Sequence, residues 1–435
     1  MKLKAFLKLT ILLGLLNLFP YYVPSVSAQG HLQTLIDETP EGGTVTLLDH
    51  TYEEEITISK PVTLIGSDHT VIRSCSNQPI IQVESDHVRL ENIKIEHCED
   101  PEPSISEPAI FVSGDNIHLE KLHVNSQSIG IQFDGVTNSV IEGGSITTNG
   151  TSNGIDVWES SQNRIQGVQI ETVIDGIYLE RSSDSEISEN DIQFARYGIH
   201  LMYSDDVLIK ENHSYQNFTG AMVMTSTNAT ITGNTFSENN LNVNSQGLFL
   251  FDAHQATVTE NTLSENRIGI NMISAEDNSL TQNGITSNFI GLQFNTTKDN
   301  LISDNSFNGN VNELQAVNST ENDVERNFWD SSIKLEKQSE GVSIFPYQAE
   351  PLYLLLTEDV PAYQLFFDSP SMTVIEALFK VPKETVMQDA YPLMQPPITH
   401  EEDGFQLLPT ILKLVLGSCL TLIGIKLFTF RRKRI

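Results

Sequence analysis

Three stretches decide the fold: 176–190 GIYLERSSDSEISEN, 198–212 GIHLMYSDDVLIKEN and 220–234 GAMVMTSTNATITGN. They superpose glycine on glycine and asparagine on asparagine, Gly176, Gly198 and Gly220 over Asn190, Asn212 and Asn234. Within each, apolar residues alternate with polar ones, the period of a strand and not of a helix. Working outward, the glycine with its apolar follower recurs at Gly130, Gly154, Gly176, Gly198, Gly220, Gly247, Gly269 and Gly291, at spacings of 24, 22, 22, 22, 27, 22 and 22. The asparagine continues at Asn261, Asn283 and Asn305, and the one longer spacing coincides with an insertion over 239–246. Proline is nearly absent from 109–327, and Asn, Ser, Asp and Gly separate the apolar runs.

Short strands repeating about every 22 residues, with no helical segment between them, predict an all-β chain: a parallel β-helix of the pectin-lyase-like kind. Parallel crossovers make it right-handed. Each coil would hold about three strands and stack roughly 4.8 Å above the last, so about a dozen coils give a rod on the order of 55 Å long. Segments such as 56–75 and 80–98 read as less regular coils of the same solenoid. The repeated asparagines are expected to point inward and stack as a hydrogen-bonded ladder.

The ends set the compartment. A basic start, an apolar run and small residues up to Ala28 read as a signal peptide over 1–28. Near the other end, 409–430 is apolar and would rise about 33 Å as a helix, enough to cross a bilayer. The basic residues at 431–434 then stay cytoplasmic. The expected organisation is a signal peptide at 1–28, a β-helix over 29–330, and a capping or wrapping segment with short helices and a linker over 331–404. A transmembrane anchor over 405–430 and a cytoplasmic tail over 431–435 follow. The rod is thus expected outside the membrane. With 57 Asp plus Glu against 25 Lys plus Arg, its surface repels nucleic acid and anionic lipid. Cys75 and Cys98 lie about one repeat apart, where a disulfide, two stacked thiols and a soft-metal site all fit.

In the strand after each glycine, the first and third residues are apolar and face the core. The second and fourth face out. The outward pairs include Asp156 and Trp158, Tyr178 and Glu180, His200 and Met202, Met222 and Met224, then Phe249 and Phe251. His200, Met202, Met222 and Met224 form a rectangle of one imidazole and three thioethers, ligands that suit Cu(I). Inward burial does not account for them, because Ile199, Leu201, Ala221 and Val223 already fill the inward positions. Flexible methionines beside Trp158, Tyr178, Phe249 and Phe251 serve equally as a partner-docking surface. Asp156, Glu180 and Arg181 are the nearest approach to a polysaccharide-cleaving carboxylate set, but they fit no catalytic motif and read as a solvated face.

Together, 198–204 GIHLMYS, 220–226 GAMVMTS and the exit beginning 326–332 RNFWDSS make the chain resemble the NosD family from 32 to 397. That resemblance implies a non-enzymatic, copper-binding β-helix protein. Its role would be in assembling the copper–sulfide centre of nitrous-oxide reductase, beside an ABC-type permease and its ATPase, with a copper chaperone as donor. It places His200, Met202, Met222 and Met224 in the family's His/Met region. The C-terminal anchor departs from the family's soluble members. Because polysaccharide-active enzymes share the repeat, a polysaccharide-binding or polysaccharide-modifying enzyme is the alternative.

Overall fold

The computed structural model describes residues 31–99, 105–336, 340–349 and 387–397. The expected signal peptide, the transmembrane anchor with its tail, and the helices expected over 350–359 and 371–381 lie outside these residues. Among the described residues, no helix is long and apolar enough to cross a membrane.

The chain winds as an all-β parallel solenoid. A 12-stranded parallel sheet carries one longer strand from each coil. A 24-stranded sheet carries two short strands per coil, such as Arg164–Gln166 and Gln169–Glu171. A residue in the left-handed region breaks the two short strands in coil after coil, among them Glu211, Gly233, Glu260, Gln282, Asp304 and Arg326 at φ 54 to 67°. Each of these precedes a ladder asparagine, whose amide ties the corner to the next coil. Amide to amide, Asn190, Asn212, Asn234, Asn261, Asn283, Asn305 and Asn327 connect at 2.9–3.0 Å. The inward ladder was thus legible in the spacing. Two further ladders were not: Asn239–Asn266–Asn288–Asn310 and Asn278–Asn300–Asn322, with steps of 2.8–3.1 Å.

The core lies between the sheets, with Ile199, Leu201, Ala221 and Val223 fully buried. The glycine column has a steric cause at Gly198. A Cβ there would sit 2.5 Å from the Gly220 carbonyl oxygen and 2.1 Å from Ser214 Oγ, so no other residue fits. Cys75 and Cys98, on adjacent coils with Cα atoms 5.0 Å apart, are joined as a disulfide.

Both ends are closed. Helix α1 (Leu32–Glu38) buries Leu32 and Ile36 over the first coil, and Glu54 Oε1 accepts the Leu32 N–H at 2.6 Å. At the far end, Trp329 is stacked between Phe307 and Tyr347, at 4.1 and 4.2 Å. Asp389 accepts hydrogen bonds from the Trp329 indole and from the Asn327 and Arg326 backbone N–H groups, at 2.8–3.1 Å. It occupies the next rung of the main ladder and ends it. Beside this cap, Glu313 is 2% exposed and accepts the Ser331 hydroxyl at 2.8 Å. Burial, reinforced by Asp330, pushes its carboxyl up to about 8. A raised carboxyl favours folding below its unfolded value of 4.5 and loses that contribution as pH climbs through 8. Glu313→Gln is therefore expected to gain stability over the parent steadily from pH 5 to pH 8.5 in urea unfolding. A gap that does not change with pH would show that Glu313 carries no proton in the folded protein.

Candidate functional site

Five adjacent strands of the 12-stranded sheet form the site: β1 (Ile155–Trp158), β2 (Asp175–Glu180), β3 (Tyr197–Met202), β4 (Thr219–Met224) and β5 (Gln246–Phe251). Their in-register pairing makes two outward columns. One runs Asp156, Tyr178, His200, Met222, Phe249, and the other Trp158, Glu180, Met202, Met224, Phe251. The expected rectangle of His200, Met202, Met222 and Met224 is present at the Cα level.

Exposure departs from the expected open patch. His200 is 7% exposed and Met222 6%, whereas Met202 and Met224 are half-buried. The outward face is not a smooth plane here, because large neighbours wall in His200. The rings of Tyr178 and Tyr197 each lie 4.9 Å from the imidazole of His200. The aromatic set is graded too: Trp158 is exposed, while Tyr178, Phe249 and Phe251 are half-buried, the two phenylalanines edge to face at 5.9 Å.

A second correction concerns Asp156. It is 2% exposed and no part of a solvated face. Burial pushes its carboxyl up to about 7, against the pull of the Asn153 amide that donates to it at 2.7 Å. Glu180 and Arg181 do reach solvent and pair at 2.7 Å.

The structure adds Asp175, Arg196 and Tyr197, which sequence reasoning missed. Asp175 Oδ2 lies 2.9 Å from His200 Nδ1, and Arg196 grips both carboxylate oxygens at 2.8 and 2.9 Å. Burial alone would raise the Asp175 carboxyl; the hydrogen bonds from His200 and Arg196 outweigh it and hold it low. Strict alternation puts Asp175 on the face opposite Tyr178. The carboxylate nevertheless turns to the imidazole of His200, although the pairing keeps a constant register from Asp175–Tyr197 to Ile177–Ile199. A polar residue directly before each of five glycines (Asn153, Asp175, Tyr197, Thr219, Gln246) was the signal available.

The other imidazole nitrogen, His200 Nε2, is buried with no hydrogen-bond partner. The Tyr178 hydroxyl donates its one proton to Glu180 at 2.9 Å, and Met202 Sδ lies 3.3 Å from the same oxygen. Among the described residues, no group of three His, Cys, Asp or Glu side chains is placed to hold a metal ion. Any ion at this site would thus depend on the thioethers. The donor set fits a soft monovalent ion, with one unsatisfied imidazole nitrogen beside three methionines.

Residues 136–341 match the family model described as "Periplasmic copper-binding protein (NosD)". Over that stretch the chain is similar to the NosD family. The NosD match spans β1 to β5 and therefore all of the site. No curated protein matches the chain. Among solved structures, a mannuronic-acid-specific polysaccharide family 6 lyase from human gut microbiota is 14% identical. It covers 79% of this chain and 95% of that one at a TM-score of 0.50. A mutant of the periplasmic alginate epimerase AlgG is 15% identical, covering 68% of this chain and 82% of that one at a TM-score of 0.50. At these identities the likeness to the lyase and the epimerase concerns the solenoid alone.

Proposed function

We propose that this protein is an extracytoplasmic, membrane-anchored, non-enzymatic accessory factor for the copper–sulfide centre of nitrous-oxide reductase, with Cu(I) as cargo at His200, Met202, Met222 and Met224. The single observation that carries the proposal is the buried, unpartnered Nε2 of His200 in register with Met222 and flanked by Met202 and Met224. Thioether and neutral imidazole donors select Cu(I) over hard cations. The NosD match supports the copper-related part. The column of Trp158, Glu180, Met202, Met224 and Phe251, with Tyr178 and Phe249 beside it, is the proposed docking face. A copper chaperone would meet it there, and the ABC permease with its ATPase would complete the assembly around it.

The test is an anaerobic titration of the full chain against a chromophoric Cu(I) chelator. One equivalent of Cu(I) is expected to bind, with Zn(II) and Mg(II) unable to compete. Failure to take Cu(I) from the chelator, or equal binding of Zn(II), would refute the copper site.

A second reading has one observation in its favour. Asp156, with its carboxyl at about 7, stands in one column with Tyr178 and His200. A proton-abstracting enzyme acting on an acidic polysaccharide needs groups of that kind. Incubation with mannuronan distinguishes the two: new unsaturated ends or inverted uronates favour the enzyme, and unchanged polymer favours the accessory factor.

A further inference from the structure

We infer that Asp175, itself clamped by Arg196, is the positioning residue of His200, fixing the tautomer in which Nδ1 carries the proton and Nε2 offers its lone pair. This rests on the proposed copper reading and deepens it.

Asp175 is 1% exposed, and both its oxygens are used. Oδ1 accepts from Arg196 Nε at 2.9 Å; Oδ2 accepts from Arg196 Nη2 at 2.8 Å and faces His200 Nδ1 at 2.9 Å. A carboxylate only accepts, so the proton between Asp175 and His200 sits on Nδ1. In the neutral form of the ring, that leaves a bare lone pair at Nε2. Arg196 also lies over the Tyr197 ring at 4.6 Å, and Tyr197 and Tyr178 wall the imidazole, so the ring angle is fixed along with the tautomer.

His97 shows that burial alone does not make a ligand. It too is buried with an unpartnered Nε2. Its Nδ1, however, accepts the Gln127 backbone N–H at 3.2 Å, which leaves the proton on Nε2. The two histidines are opposite tautomers, and His200 alone of this pair has a free lone pair at its buried nitrogen. Carboxylate-backed histidine is the arrangement that holds a metal-binding imidazole in place, and loss of such a partner weakens metal affinity by about 10–100-fold.

The experiment uses the full chain with nitrogen-15 labelled histidine, whose long-range proton–nitrogen spectra report the tautomer directly. His200→Gln assigns the His200 signals. The parent is expected to show His200 protonated at Nδ1, and Asp175→Asn to show a mixture of tautomers with Cu(I) affinity about 10–100-fold lower. Arg196→Gln changes a side chain that is 53% exposed and guards against a misfolded Asp175→Asn. It is expected to broaden the His200 signals and lower Cu(I) affinity to an intermediate degree. The inference is overturned if the parent protonates His200 at Nε2, or if Asp175→Asn leaves tautomer and affinity unchanged. A tautomer that responds to Asp175→Asn in a parent unable to bind Cu(I) upholds the positioning role and removes only the copper reading.

Discussion

Replacing Met222 and Met224 together with leucine is expected to lower Cu(I) affinity by more than about a hundredfold, since losing a direct ligand should exceed the 10–100-fold cost of losing a supporting group. The fold should hardly notice. Met222 is buried and Met224 half-buried, but leucine nearly matches methionine in volume, and each such exchange costs less than about 1.5 kcal/mol. The experiment therefore separates softness from greasiness. Chelator competition reads the affinity, thermal unfolding reads the stability, and reductase maturation in cells reads the function. Under a pure docking role the leucine pair is silent, whereas Met224→Asp, which charges a half-exposed position between Met202 and Phe251, abolishes partner binding. Normal Cu(I) affinity in the leucine variant would rule out the thioethers as ligands and leave the cluster as a contact surface.

A comparably large effect is expected in the ladder. Asn283→Ala should destabilise the middle coils by roughly 2–6 kcal/mol, from two buried groups left unsatisfied at about 1–3 kcal/mol each. The Asn283 amide donates to the Val258 and Thr281 carbonyls and to Asn305 at 2.9–3.1 Å. Its oxygen accepts from the backbone and side chain of Asn261 at 3.1 and 2.9 Å. Alanine removes all of these at a position with no access to water. In a solenoid each coil is held mainly by its neighbours, so the loss should be local, with faster amide exchange in the coils around Asn283 than at α1. The control is Asn240→Ala at an exposed position, expected within about 0.5 kcal/mol of the parent. Equal stability of the two variants would mean the ladder follows from the fold without supporting it.

The sequence alone determined the period, the class of fold and the Cα-level neighbours of the site. Parallel in-register stacking copies a spacing along the chain directly into adjacency across coils. Gly198 over Gly220 therefore implied His200 beside Met222, and the asparagine spacing implied the main ladder. Tertiary structure decided the rest, because the remaining features depend on rotamers, local breaks in alternation or contacts far along the chain. Asp175 reaches His200 against the strict alternation of the strand. His200 is buried on the outward face because Tyr178 and Tyr197 lean over the imidazole, which no two-residue period encodes. Asp389 closes the Asn327 rung from 62 residues away, beyond the reach of any repeat. Cys75 and Cys98 were near neighbours by register, but only the geometry of two adjacent coils selected the disulfide from the alternatives that spacing allowed.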